Sequence, residues 1–338
     1  MRGARPRCRR DPRRLCRVVG RVGTGLRCLG LRAGLSEGAA MTAPVWAGFE
    51  CGRLPWNGHD LLHSTGHLPG GGMERHYAHA VQHSAAGARD GLSWRHDISA
   101  RVKAASGLPV MWDLVHFDMP PDPEAHAVAC ADALAPGTWA IAVNEPTIHA
   151  KFQGDGQSWP FVEAALRMMR AAPSLRYACC DPLHDLAPET WWATDRLVES
   201  GLTRLVGINY YPHCARVPMR DVIREARARY PGLPLAITET SWHVGHPQLP
   251  VGDMRLQWLD HVQQECEAAG GVDFVCWYPW LDMPCWDMSG AVWPCGWPDA
   301  ALMRVVQQEG HSGRALYFSS RLSRCQSQSS SCSGSRPN

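Results

Sequence analysis

The chain has 338 residues, 45% of them hydrophobic and 20% charged, proportions of a globular protein able to bury a substantial core. Its formal net charge of +2 hides an asymmetry: residues 1–40 carry 11 arginines against Asp11 and Glu37, a balance of +9, which leaves −7 for the remainder. A body of that sign gives no support to a nucleic-acid or anionic-membrane partner, and without 18 consecutive apolar residues no transmembrane helix is expected.

Arginine interrupts every apolar run of residues 1–40 before it reaches the 7–15 residues of a secretory signal. The segment reads as a leader outside the fold, either a transit peptide or the product of a start placed upstream of Met41. Residues 319–338 are polar and Ser-rich and are expected to be disordered. Between them residues 44–318 form one domain, close to the ~250 residues typical of an eight-stranded α/β barrel. Of 14 cysteines, three lie in the leader and two in the tail, and no CxxC pair occurs, so a reduced, cytoplasmic protein with buried thiols is expected. The adjacent Cys179 and Cys180 should point to opposite faces of a strand.

Along the body, eight apolar runs alternate with longer segments of mixed character. The runs are VWAGFEC (45–51), ARDGLSW (88–94), LPVMWDLVHF (108–117), WAIAVNEP (139–146), LRYACCD (175–181), RLVGINYY (204–211), LPLAITET (233–240) and VDFVCWYPW (272–280). Helical period marks MERHYAHAVQHSAA, DPEAHAVACADAL, PFVEAALRMMRAA, TWWATDRLVES, VPMRDVIREARARY and DMRLQWLDHVQQECEAA. In the last, Met254, Leu256, Trp258, Leu259, Val262 and Cys266 form an apolar stripe. Strand and helix in alternation imply parallel strands with right-handed crossovers. No Gly-rich phosphate loop follows an early strand, which favours a single (β/α)8 TIM barrel over a doubly wound sheet.

Active-site groups of such a barrel stand where strands end. The polar residues at those positions are Glu50, Arg89, His116 and Asp118, Asn144 and Glu145, Asp181 and His184, Asn209 and Tyr211, Glu239, then Trp277 and Asp282. The fourth and seventh strands lie roughly across the barrel from each other, so Glu145 and Glu239 can flank one bond at its mouth. Glycoside hydrolysis needs two carboxyl groups in unlike environments, one protonated and one ionised. Each residue also has a plainer reading: Glu145 as a helix N-terminal charge, Arg89 as a core ion-pair partner, His116 and Asn209 as partners of loop backbone, Trp277 as packing.

Two histidine groups compete for attention. His59, His63 and His67 in HDLLHSTGH would share a helical face, as zinc ligands can, but Gly66 and LPGGG should end the helix and leave a polar rim. His76, His79 and His83 read as a solvated helix face.

WAIAVNEP followed about 95 residues later by LAITETSW resembles the paired-glutamate pattern of clan A glycoside hydrolases, most nearly the family 1 β-glycosidases. LVHFDMP is similar to that family's His-Trp-Asp-Leu-Pro turn, ARDGLSW to its Arg-bearing second strand, LVGINYY to its sixth strand and FVCWYPWLD to its Trp-bearing eighth. The resemblance implies Glu145 as acid/base, Glu239 as nucleophile and Asn144 as the partner of the sugar 2-OH. It further implies that Arg89 and Tyr211 contact Glu239 and favour its charged form, that His116 binds a sugar hydroxyl and that Trp277 stacks on the ring. Family members are usually longer, carry Glu-Asn-Gly where this chain has Glu239-Thr240-Ser241, and have an acidic pair near the end of the eighth strand, absent near Trp286 here. The expectation is a compact, divergent retaining glycosidase acting on a carbohydrate or glycoside, with neither metal nor organic cofactor. The alternatives are a noncatalytic or repurposed sugar-binding barrel and a metal-dependent hydrolase built on His59, His63 and His67.

Overall fold

The computed structural model describes residues 42–54, 58–153, 157–242, 254–281, 283–284, 292–293 and 296–297. The leader, the Ser-rich tail, Asp282, Trp286 and the 298–318 end of the expected domain lie outside these residues. Eight strands follow one another around a closed barrel: β1 (Val45–Gly48), β2 (Gly87–Gly91), β3 (Val110–Asp113), β4 (Trp139–Ile141), β5 (Arg176–Pro182), β6 (Thr203–Asn209), β7 (Leu235–Thr240) and β8 (Val275–Trp277). All eight pairings are parallel, and β8 closes on β1 through Val45↔Val275, Trp46↔Cys276 and Ala47↔Trp277. This is the (β/α)8 TIM barrel that the alternation predicts. A short antiparallel pair, β9 (Met283–Pro284) with β10 (Val292–Trp293), follows β8.

Strands buried on both faces need apolar residues in both phases of the pleat. Met111, Ile141, Ala178, Cys180, Leu205, Ala236, Phe274, Cys276 and Tyr278 fill the interior. The alternate residues, among them Ala47, Cys179, Val206, Ile237, Val275 and Trp277, pack in the shell beneath the helices. Cys179 and Cys180 therefore do face opposite ways, and all seven cysteines among the described residues are free thiols. Near the strand starts Trp46 stacks on Phe274 with ring centroids 4.1 Å apart, and Arg176 lies over the Trp139 ring at 4.2 Å.

The helices are α1 (Leu61–Thr65), α2 (Gly72–Gln82), α3 (Ile98–Ala104), α4 (Pro123–Ala133), α5 (Pro146–Gln153), α6 (Trp159–Ala171), α7 (Pro188–Glu199), α8 (Met219–Arg229) and α9 (Met254–Ala268). Local chemistry sets their starts. The Asp122 carboxylate accepts the Ala125 N–H at 3.0 Å, and Pro123 occupies the first turn, where a missing N–H costs nothing. Asp97 caps α3 through the Ala100 N–H in the same way. Inside α8, Met219, Val222, Ile223 and Ala226 share one buried face, and full burial of a side chain such as Ile223 contributes about 1.5–3 kcal/mol. The α9 stripe departs from expectation at one position: Trp258, Val262 and Cys266 are buried, but Leu256 is 50% exposed. No helix among the described residues is long and apolar enough to cross a membrane.

Candidate active site

Arg89 leaves β2 with its guanidinium inside the barrel mouth, fully buried. A buried guanidinium must spend its donors on acceptors, and these come from the ends of three other strands, β3, β4 and β7. Nε and Nη2 grip Asp113 of β3 at 3.0 and 2.8 Å, Nη2 also reaches Asn144 Oδ1 at 2.8 Å, and Nη1 reaches Glu239 Oε1 at 2.7 Å and the Thr238 carbonyl at 3.0 Å. The second oxygen of Glu239 accepts the Tyr211 hydroxyl at 2.8 Å. Both oxygens of the β7 carboxyl thus face strong donors, the arrangement that suits an anion.

Glu145 sits in a different setting. It follows β4 at φ 45°, a left-handed conformation that non-glycine residues seldom adopt, and Pro146 begins α5 immediately after it. Its backbone carbonyl accepts the N–H groups of Ile148 and His149. Its side-chain Oε1 accepts Asn209 Nδ2 at 2.9 Å. With no cation among the described residues bound to it and 5% exposure, burial first and then the charge of Glu239 push its carboxyl up to about 8. Asn209 is held in place by the Thr238 hydroxyl, which donates to its Oδ1 at 2.7 Å, and also reaches Asn144 Oδ1 at 3.3 Å. Cys180 donates to that same Asn144 oxygen at 3.1 Å.

His116 occupies the third corner. Its Nδ1 lies 2.8 Å from Asp113 Oδ2, and Tyr278 Oη lies 3.0 Å from its Nε2. Burial opposes charge on this imidazole, but Cys51, Glu50 and Asp113 around it raise its pKa well above the usual value. Burial likewise works against Asp113, yet Arg89 and His116 hold its carboxyl below the ordinary range.

Seven of the predicted residues, Arg89, His116, Asn144, Glu145, Asn209, Tyr211 and Glu239, are joined in one hydrogen-bonded network. Trp277, expected to stack on a sugar ring, is instead a shell residue. The pleat turns Trp277 into the shell, fully buried and edge-on to Trp297 at 5.8 Å. Its neighbour Tyr278 faces inward, with its ring 5.5 Å from His116 and 5.6 Å from the Arg89 guanidinium carbon. Gly48 makes this approach feasible, because a Cβ there would stand 2.5 Å from Tyr278 Cδ2. Asp113, Thr238, Cys180 and Tyr278 are network members that strand-end reasoning passes over. An acid inside the apolar run VMWDLV was the one available signal, since a buried carboxylate demands a partner.

Other strand-end residues lie elsewhere. Asp118 pairs with Arg95. Asp181 accepts the Thr147 hydroxyl at 2.7 Å, and burial raises its carboxyl to about 7; burial lowers His184 to about 4. The triad His59, His63 and His67 does not converge. α1 ends at Gly66 (φ 67°), the His63 side chain is 67% exposed, and His67 is buried against Asp90 at 3.0 Å. The solvated face expected for His76, His79 and His83 is corrected too: His76 Nδ1 meets His67 Nδ1 at 3.0 Å, and His79 accepts the Trp280 indole N–H at 3.0 Å.

No protein-family model and none of the curated proteins matches the chain. Solved structures do. A rice β-glucosidase in covalent complex with Glc matches with a TM-score of 0.53 at 12% identity, over 76% of this chain and 92% of that one. A hyperthermophilic β-glucosidase mutant matches with a TM-score of 0.53 at 13% identity, over 77% and 95%. A further rice β-glucosidase structure gives 0.53 at 13%, over 76% and 92%. At this identity the likeness is one of fold.

Proposed function

We propose that the protein is a retaining, β-glycosidase-like hydrolase, a short divergent relative of the family 1 β-glycosidases that cleaves O-glycosidic bonds. The observation that carries this reading is the contrast between two carboxyls in one network. Glu239 receives Arg89 and Tyr211, whereas Glu145 receives the Asn209 amide and is pushed up to about 8. Unlike environments of this kind divide an acid from a nucleophile. The β-glucosidases of like fold support a carbohydrate substrate.

In the first step a Glu239 oxygen attacks the anomeric carbon, the bond to the leaving oxygen breaks, and the Glu145 proton passes to that oxygen. In the second, Glu145 takes a proton from water, the water oxygen attacks the anomeric carbon, and Glu239 departs as carboxylate. Asn144 would bind the sugar 2-OH, His116 a further hydroxyl, and Asn209 would orient Glu145. No step calls on a metal or organic cofactor. The barrel is the one catalytic domain in this reading, the leader and tail take no part, and the free thiols suit a cytoplasmic setting.

Aryl β-glycosides incubated with the purified protein, with the first-formed sugar followed by proton NMR, test this. Release of the β-anomer supports it. The α-anomer as first product means inversion, and sugar binding without turnover means the repurposed barrel; either overturns it.

A further inference from the structure

Beside the two carboxyls, the end of β1 and the end of β3 bring Glu50, Cys51 and His116 together, with one donor atom of each within 4.8 Å of the others. All three are buried, at 3, 2 and 5% exposure. Glycoside cleavage as derived above makes no use of Glu50 or Cys51. We propose that Glu50, Cys51 and His116 form a binding site for a divalent cation of the zinc class.

Three observations carry the site. The first is an oxygen without a partner: Glu50 Oε1 accepts the N–H groups of Cys51 and Gly52 at 3.0 and 3.1 Å, while Oε2 is buried and unbonded. A buried carboxylate oxygen left bare is costly, and a cation satisfies it. The second is spacing. His116 Nε2 stands 3.6 Å from Glu50 Oε1, close to the edge of about 3.4 Å that ligands of a tetrahedral zinc ion span at their usual bond lengths. The third is the outer contact. Asp113 Oδ2 lies 2.8 Å from His116 Nδ1, so Nδ1–H can donate there and Nε2, once its own proton has left, can turn its lone pair to a metal, the support that metal-binding imidazoles usually have.

The surroundings fit. Gly91 clears the space for the thiol, since a Cβ there would stand 2.3 Å from Cys51 Sγ. A small cleft lined by Cys51, Arg53, Ser93, His116 and Asp118 adjoins the cluster. Cys, His and a carboxylate are together a zinc-type donor set, and three protein ligands leave a fourth position for water. On binding, the thiol proton and the Nε2 proton of the imidazolium both leave to solvent, and Nε2 exchanges Tyr278 for the metal. Occupancy therefore withdraws His116 from any sugar hydroxyl, so the cation acts as an inhibitor of the barrel mouth.

The test is a Co2+ titration of the reduced, chelator-treated full chain, read by absorption. The expected result is a thiolate-to-cobalt charge-transfer band saturating at one ion per chain and displaced by Zn2+. Cys51→Ser abolishes it, and Cys214→Ser, which removes the exposed cysteine among the described residues, retains it. Should Cys51→Ser fail to fold, Glu50→Gln decides, with Co2+ binding at least about 10-fold weaker than wild type. Absence of the band in the wild type, its survival in Cys51→Ser, or wild-type affinity in Glu50→Gln overturns the site. The readout is metal binding and not turnover, so its failure leaves the hydrolase reading untouched.

Discussion

Arg89 Nη1 donates to Glu239 Oε1 at 2.7 Å while the rest of the same guanidinium grips Asp113 and Asn144. One buried cation thereby fixes the β7 carboxyl against β2, β3 and β4. Arg89→Met leaves Asp113 and Glu239 buried without their cation, a loss that typically costs about 3–5 kcal/mol. Arg89→Lys keeps the charge but not the fork. We expect Arg89→Lys to fold, with kcat on an aryl glycoside down about 10²–10³-fold and the unfolding midpoint in urea lowered less than in Arg89→Met.

The Tyr211 hydroxyl is the second donor to Glu239, at 2.8 Å. A hydrogen bond to a charged group contributes about 1.5–3 kcal/mol, so Tyr211→Phe should lower kcat/KM by about 10–150-fold. Unchanged kcat/KM would remove Tyr211 from the site.

The proton on Glu145 sets a pH limit. Its carboxyl is raised from the ordinary 4.5 to about 8 by burial and by Glu239. The basic limb of kcat/KM should fall near pH 8 and vanish in Glu145→Gln, measured with a glycoside whose leaving group needs no protonation. Stability follows the same linkage. Between about 4.5 and about 8 the folded state binds more protons than the unfolded chain, so this group's contribution is full below the lower value and is lost as pH rises through the upper one. Urea midpoints of wild type and Glu145→Gln compared at pH 5 and pH 9 check the sign.

The two adjacent aromatics at β8 should separate cleanly. Trp277 is fully buried in the shell, so Trp277→Ala is expected to cost about 3–5 kcal/mol and to leave KM of the folded fraction unchanged. Tyr278→Phe removes the hydroxyl 3.0 Å from His116 Nε2 and should change KM or kcat at little cost in stability. The reverse pattern would return the stacking role to Trp277.

The same contrast explains what was legible in the chain. Eight runs ending in polar residues announce the barrel, because a strand buried on both faces admits polarity only where it emerges. Glu145 and Glu239 stand out for that reason. The phase of VDFVCWYPW is not legible, since both of its faces are apolar and period two carries no contrast. Trp277 and Tyr278 are therefore told apart only by the closed barrel. α3 and α5 are short, and α5 starts inside the motif itself at Pro146, so the NEP stretch reads as turn and helix start at once. Asp113, Cys180 and Thr238 lie within strands, and their roles depend on which strands adjoin them. His76 and His79 are drawn inward by His67 and Trp280, partners that helical spacing alone does not reveal.

The covalent bond proposed between Glu239 and the sugar is tested most directly with 2-deoxy-2-fluoro glycosides. We expect time-dependent inactivation, with one fluoroglycosyl group per chain on the peptide carrying Glu239, slowed by a competing glycoside and absent in Glu239→Gln. Measurable hydrolysis with no label at Glu239, or label on a different carboxyl, would contradict it.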